Sequence, residues 1–162
     1  MKLYQLIFPL TLASIVVAGC VRFGAQNSDV YSASFGLLDA QDHLTPANRI
    51  PYRLGLRYGW KLTAHTSKST VRVKEIFKLP GNAPWAGNLV DSEKVKNIKQ
   101  KLSESGDLSE KVSEVKIGPQ EETEILQPYW FIEGDPQGTY SISIFVENKF
   151  ITNFTFQVFS EQ

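Results

Sequence analysis

The clearest hydrophobic pattern lies in the C-terminal third of the chain. In residues 138–146, GTYSISIFV, every second side chain is apolar, and residues 149–159, KFITNFTFQVF, alternate in nearly the same way. Alternation with a period of two places the apolar side chains on one face of a β-strand. The polar residues 147–149 lie between the two runs, and Asn148 tolerates the positive φ of a tight turn. This pattern predicts a β-hairpin.

Three earlier segments alternate as well: residues 30–38, 56–64 and 70–79. Each predicts a half-buried strand. The polar loop 65–69 joins the second segment to the third, and we expect these two strands to pair as a hairpin. Trp60 lies in the apolar row of its segment, which predicts a place in the core.

Residues 111–117 alternate weakly, and residues 121–132 are acidic at first and then aromatic. Pro128 predicts a sheet edge or a break in the second run, because proline cannot donate a ladder hydrogen bond. Six or seven strands at this spacing predict an all-β fold, an antiparallel β-sandwich.

One segment, residues 92–102, departs from this pattern. Val95, Ile98 and Leu102 follow helical spacing, Ser92 is a possible N-cap, and Gly106 is a stop. The spacing predicts one short amphipathic helix inside an insertion at about 88–122. A solvated loop is the alternative.

The N-terminus has the pattern of a secretory leader. Lys2 precedes an interrupted apolar run over 3–17, about fifteen residues, which is shorter than the twenty or so that a membrane-spanning helix needs. The only cysteine, Cys20, follows at once. A plain secretory signal with a chance cysteine and a retained transmembrane helix are the alternatives to a lipoprotein signal.

Residues 17–20, VAGC, resemble the lipobox of bacterial lipoproteins. That resemblance implies a diacylglyceryl group on the Cys20 thiol, cleavage after Gly19 and acylation of the new amine. More than one acyl chain is needed for a stable anchor. Val21, rather than aspartate, implies sorting to the outer membrane. We therefore expect a lipid-anchored protein of the bacterial cell envelope, on the outer membrane and facing the periplasm.

The expected organisation is a cleaved signal peptide at 1–19, a lipidated tether at 20–29 and a single domain at 30–162. The chain carries 17 Lys+Arg and 17 Asp+Glu. Cleavage removes only Lys2 among these, so the mature net charge is about −1, which argues against a nucleic-acid partner. With Cys20 lipidated, no thiol remains for a disulfide or a cysteine-based metal site.

Two further motifs resemble a small bacterial secreted-domain family of unknown function. They are RIPYRLGLRYGW at 49–60 and EGDPQGTY at 133–140. The resemblance runs over about 29–159, although residues 88–122 do not match it. It implies an immunoglobulin-like β-sandwich with one short helical insertion, and it transfers no catalytic residue.

The residues that could carry chemistry give weak signals. His43 and His65 have no second ligand at metal spacing, so we expect no metal site and no cofactor. No serine lies in an activating motif, and the acidic residues near 121–124 fit a solvated charge run. The sequence predicts that the protein is not an enzyme.

The aromatic residues give the candidates for ligand or partner contact. Trp85 lies in a loop without periodic partners, and Tyr129 and Trp130 are consecutive, so a strand sends them to opposite faces. Trp85 could instead plug the end of the sandwich.

We expect a non-catalytic binding or assembly module that holds an envelope protein or a cell-wall ligand. An envelope hydrolase is one alternative, and it requires a concave site that groups His43 or His65 with carboxylates. A structural accessory subunit is the other, and it requires an uncovered helix face of Val95, Ile98 and Leu102. A ligand binder predicts an exposed aromatic patch with Trp85 or Trp130.

Overall fold

The protein is described by a computed structural model over residues 29–81, 98–117 and 122–161. These residues form ten β-strands and no helix. The strands are β1 (Val30–Leu38), β2 (Leu44–Pro46), β3 (Arg49–Pro51), β4 (Arg57–His65), β5 (Thr70–Lys78), β6 (Ile98–Leu102), β7 (Leu108–Lys116), β8 (Glu122–Trp130), β9 (Gly138–Val146) and β10 (Lys149–Phe159). Within these three ranges, no helix is long and apolar enough to cross a membrane.

The strands form two sheets that pack face to face. The four-stranded sheet has the order β2-β1-β4-β8, and the six-stranded sheet has the order β3-β10-β9-β5-β7-β6. Neighbouring strands are antiparallel except β3, which runs parallel to β10. The predicted all-β sandwich is confirmed.

The predicted C-terminal hairpin is also confirmed. β9 pairs with β10 along its length, from Val146 opposite Lys149 to Gly138 opposite Val158. Glu147 and Asn148 form the turn with φ values of 51° and 65°. Positive φ at both central residues matches the twist of the flanking strands.

The predicted pairing of β4 with β5 is wrong. β4 lies in the four-stranded sheet and β5 in the six-stranded sheet, so residues 66–69 connect one sheet to the other. Both strands turn an apolar row inward, but the rows face each other across the core. Alternation defines which face of a strand is buried, and it does not define which strand is its neighbour.

The predicted helix is wrong where it can be compared with the structure. Ile98 and Leu102 lie in β6, which pairs with β7 along residues 98–102. Two apolar residues four positions apart share a face in a helix and in a strand alike. In this chain the β7 edge supplies the hydrogen bonds, so the strand forms. The remainder of the predicted helix, with Val95, lies outside the described residues.

The core lies between the sheets and is rich in aromatic rings. Phe156 stacks on Phe35 with ring centroids 4.4 Å apart, and it lies 5.7 Å from the Tyr58 ring. Tyr140 stacks on the other side of Phe156, at 5.3 Å. Trp60 is buried, as predicted.

β8 forms one edge of its sheet, as Pro128 predicts. Pro128 lies opposite Gly59 of β4. A Cβ atom on Gly59 would lie 2.2 Å from the Gln127 carbonyl oxygen. Only glycine therefore allows β4 and β8 to approach this closely.

Candidate functional site

A polar row interrupts the core on the inward face of the six-stranded sheet. Glu75 of β5 lies directly opposite Lys111 of β7, and Ser109 of β7 lies opposite Phe77. Glu75 and Ser109 are buried, with 4% and 2% of their surface exposed. Buried polar groups of this kind require partners.

Glu75 has its partners on the facing sheet. Trp60 Nε1 and the Tyr129 hydroxyl both donate to the same carboxylate oxygen, Oε2. Among the described residues no group donates to Oε1, while Glu75 lines a cavity. One oxygen therefore joins the two sheets, and the other accepts no hydrogen bond from the described residues.

Lys111 makes the second contact between the sheets. Its Nζ donates to Gln127 Oε1 at 2.5 Å. Gln127 is the register partner of Trp60 in the four-stranded sheet, just as Lys111 is the register partner of Glu75. Two cross-strand pairs, one in each sheet, are thus joined by hydrogen bonds across the sandwich.

The two charged groups have shifted pKa values because both are removed from water. Burial raises the pKa of Glu75, while the hydrogen bonds from Tyr129 and Trp60 and the charge of Lys111 act in the opposite direction. Burial lowers the pKa of Lys111, and the charge of Glu75 opposes that shift. Desolvation outweighs the attraction between the charges in each case.

The cavity has a volume of about 210 Å³ and lies between β8 and the β5–β7 pair. Its walls are largely aromatic, formed by Tyr58, Phe77, Tyr129 and Tyr140. Its polar lining consists of Glu75, Gln100, Ser109, Lys111, Gln127 and Asp135. Aromatic walls with a few converging polar groups are typical of small-molecule sites. We call this the Glu75 cavity.

Asp135 is the second carboxyl group of the Glu75 cavity. The Ile132 backbone N–H donates to Asp135 Oδ2 at 2.9 Å. Partial burial raises the pKa of Asp135, and the bond from Ile132 opposes the shift. Both carboxyl groups are therefore shifted upward, whereas an acid–base pair for hydrolysis needs pKa values that are pushed apart.

The structure separates the aromatic residues that the sequence singled out. Tyr129 points into the Glu75 cavity and bonds Glu75, while Trp130 is 54% exposed on the neighbouring position and lines the cavity's rim. The sequence predicted opposite faces for these two residues.

Two other predicted site residues, Trp85 and Cys20, lie outside the described residues. Ile98 and Leu102 are half-buried on β6 and form no helix face.

The histidine site that a hydrolase requires is not formed in the described part of the chain. His43 is exposed and contacts Asp39, with 2.9 Å between Nδ1 and Oδ2. His65 is exposed at the end of β4, opposite Glu122. Neither histidine lines the Glu75 cavity. No group of three or more potential metal ligands occurs in residues 29–81, 98–117 and 122–161.

Glu75 and Lys111 were not among the predicted site residues, although the sequence carries a signal for both. Strict alternation in β5 places Glu75 inward, between Val73 and Phe77. The same rule places Lys111 on the face of Val115 in β7. A charged residue in an inward position is the signal that marks this site.

Two of the solved structures that match the chain come from pseudomonads. An immunoglobulin-like protein from Pseudomonas aeruginosa superposes with a TM-score of 0.57 at 17% identity, covering 84% of this chain and 100% of that one. The Pseudomonas fluorescens alkylpurine DNA glycosylase AlkC, bound to DNA containing an abasic site analog, gives a TM-score of 0.43 at 10% identity. It covers 80% of this chain and 30% of that one, a likeness too low to carry an argument.

The first likeness shows the fold alone and confirms the immunoglobulin-like sandwich. No curated protein matches the chain. The family described as PM0630 beta sandwich domain matches residues 33–159, which is most of the chain. The protein therefore belongs to the PM0630 beta sandwich domain family.

Proposed function

We propose that this domain is a non-catalytic binding module that takes a small ligand into the Glu75 cavity. The observation that carries the proposal is Glu75 itself. This side chain lines the cavity, its Oε2 accepts two hydrogen bonds, and its Oε1 has no donor among the described residues. A carboxylate is costly to bury, and half of its bonding capacity is left for a ligand.

The arrangement favours binding over catalysis. Trp60 and Tyr129 hold the carboxylate in one orientation, which lowers the entropy that binding costs. The described lining has no cysteine or histidine, and its two carboxyl groups have pKa values shifted in the same direction. Orientation without an activated acid–base pair is what a binding site requires.

Binding is tested with ¹⁵N-labelled protein and a panel of small probes. The probes are methyl glycosides, L-alanine and putrescine, which represent neutral, zwitterionic and cationic ligands. The reporter is the Trp60 indole N–H, because it bonds Glu75 directly. A saturable shift of this resonance by at least one probe is expected. If none of the three classes moves it at 50 mM, the proposal is contradicted.

We also propose that the module is held at the envelope membrane by lipid on Cys20, with an outer-membrane destination. The support is the VAGC sequence at 17–20 and Val21 after it. In a Gram-negative host, Cys20→Ser is expected to move the protein from the membrane fraction to the soluble fraction. Retention of the variant on membranes would contradict the anchor.

The Val21→Asp variant keeps the anchor and tests the outer-membrane destination. This substitution is expected to shift the protein toward the inner membrane.

An assembly role is the second candidate, and Trp130 favours it. Trp130 is 54% exposed at the edge strand β8, where an envelope protein could pair or pack. A photo-crosslinking residue in place of Trp130 is expected to capture one recurrent envelope protein in cells. Phe150, which is 60% exposed on β10, is the matched control position. Equal capture at both positions, or none at 130, argues against assembly through β8.

A further inference from the structure

We infer that the ligand of the Glu75 cavity is a single neutral sugar ring. The inference rests on the proposed binding function and adds the ligand's chemical class. Three properties of the cavity support it: the presence of charged groups of both signs, the mixture of its free donors and acceptors, and the size and aromatic character of its walls.

The charges of the cavity favour a ligand without net charge. Glu75 and Lys111 lie opposite each other on adjacent strands, and each partly offsets the other. An added cation would lie beside the Lys111 ammonium group, and an added anion would lie beside Glu75 and Asp135. A neutral ligand leaves these opposing charges as they are, and so avoids burying a further unpaired charge.

The hydrogen-bonding groups favour hydroxyls over other neutral groups. Glu75 Oε1 can only accept while it is ionised, and the Lys111 ammonium group can only donate. Ser109 Oγ accepts a bond from Gln100 Nε2 at 2.9 Å, so its own proton is available to donate. A hydroxyl group donates and accepts at once, and neighbouring hydroxyls on a ring can therefore satisfy both kinds of group.

The walls fit the apolar face of a sugar. Five aromatic side chains line the cavity, and a pyranose offers a flat face of C–H groups to such rings. The volume of about 210 Å³ lies below the range of about 300–1,000 Å³ for drug-sized sites. The cavity therefore takes one ring. A ring of about a dozen heavy atoms at ordinary ligand efficiency binds with a Kd of about 1 mM.

The test is a titration of the ¹⁵N-labelled protein with methyl glycosides of glucose, galactose and N-acetylglucosamine. At least one glycoside is expected to shift the Trp60 indole N–H saturably, with a Kd of about 1 mM. L-Alanine and putrescine are the competing arms. If either of these shifts the resonance and no glycoside does, the sugar inference fails while the binding function stands. If no probe acts, both fail.

The Glu75→Gln variant tests whether the sugar binds beside Glu75. The Trp60 and Tyr129 donors will hold the amide oxygen of the new side chain, so its NH₂ group replaces Oε1 in the cavity. An acceptor becomes a donor, and glycoside affinity is expected to fall about tenfold or more. Glu124→Gln, an exposed carboxylate bonded to Lys61, is the matched control and should bind normally. Equal affinity in both variants would overturn the inference.

Ser109→Ala removes one donor and is expected to weaken glycoside binding about fivefold. Ser113→Ala, four residues further along the same strand and outside the cavity lining, is its control. The ¹⁵N spectrum of each variant reports whether the fold is kept. A Ser109 variant that folds and binds as tightly as the Ser113 variant would remove Ser109 from the site.

Discussion

β7 and β9 flank the same strand, β5, on opposite sides, and they bury very different residues. The inward row of β9 is Tyr140, Ile142, Ile144 and Val146, all buried and apolar. The inward row of β7 is Ser109, Lys111, Ser113 and Val115, which is mostly polar. One sheet therefore has an apolar half that packs the core and a polar half that lines a cavity.

The difference shows how one β-sandwich can combine stability with a binding site. β5 serves both halves, because Glu75 lies opposite Ile144 on one side and Lys111 on the other. The apolar half supplies the folding free energy through buried area. The polar half can then carry groups that cost free energy to bury, provided that the opposite half compensates.

The largest effect is expected from a truncation in the apolar half. Phe156 stacks on Phe35 and Tyr140, and Phe156→Ala is expected to lower the free energy of unfolding by about 3–5 kcal/mol. Gln100→Ala in the polar half should change it by less than about 0.5 kcal/mol. Urea unfolding measures both. If both variants lost a similar free energy of unfolding, the division of the sheet into a stabilising half and a binding half would be contradicted.

The next effect is expected from Glu75→Ala. The substitution leaves the Trp60 N–H and the Tyr129 hydroxyl without their acceptor, at a cost of about 2–4 kcal/mol in total. Glu75→Gln keeps an acceptor and should cost less. Urea unfolding of the two variants side by side is the measurement. An alanine variant as stable as the glutamine variant would mean that the carboxylate does not join the sheets.

The smallest expected effect is a pH dependence of stability that arises in the polar half of the sheet. The pKa of Glu75 in the fold lies above its ordinary value of 4.5, mainly because of burial. The stabilisation linked to this shift is complete below about pH 4.5 and is lost as the pH rises through the folded pKa. The stability of the wild type relative to Glu75→Gln should therefore decrease from pH 4 upward.

This difference removes the contribution of Asp135, which is shifted in the same direction but is present in both proteins. Lys111 does not cancel, because the charge of Glu75 raises its pKa and is absent from the variant. The difference therefore reports the Glu75–Lys111 pair. Thermal unfolding of both proteins between pH 4 and pH 7 gives the difference. A flat difference, or one that rises with pH, would contradict the shift.

The apolar half could be predicted from the sequence, and the polar half could not. In β9 and β10, alternation and a local turn specify both strands and their pairing, apart from a register shift between Phe150 and Thr152. In β6, Ile98 and Leu102 fit a helix and a strand equally, and pairing with β7, the next strand of the chain, gives the strand. The apolar spacing of β6 alone does not contain that pairing.

The cavity was missed for a related reason. Glu75 stands inward by alternation, yet its partners Trp60 and Tyr129 come from two strands of the other sheet. The predicted pairing put β4 and β5 in one sheet, whereas Trp60 and Glu75 meet across the sandwich. The alternating pattern predicts which side chains face the core. The order of the strands in the two sheets, which that pattern does not contain, brings Glu75 together with Trp60 and Tyr129.

The strand order also has a consequence for the timing of folding. β5 lies inside the six-stranded sheet between β7 and β9, and β3 pairs with β10, more than a hundred residues later in the chain. An emerging chain therefore cannot complete this sheet until β10 has been made, and pairings of such long range form slowly.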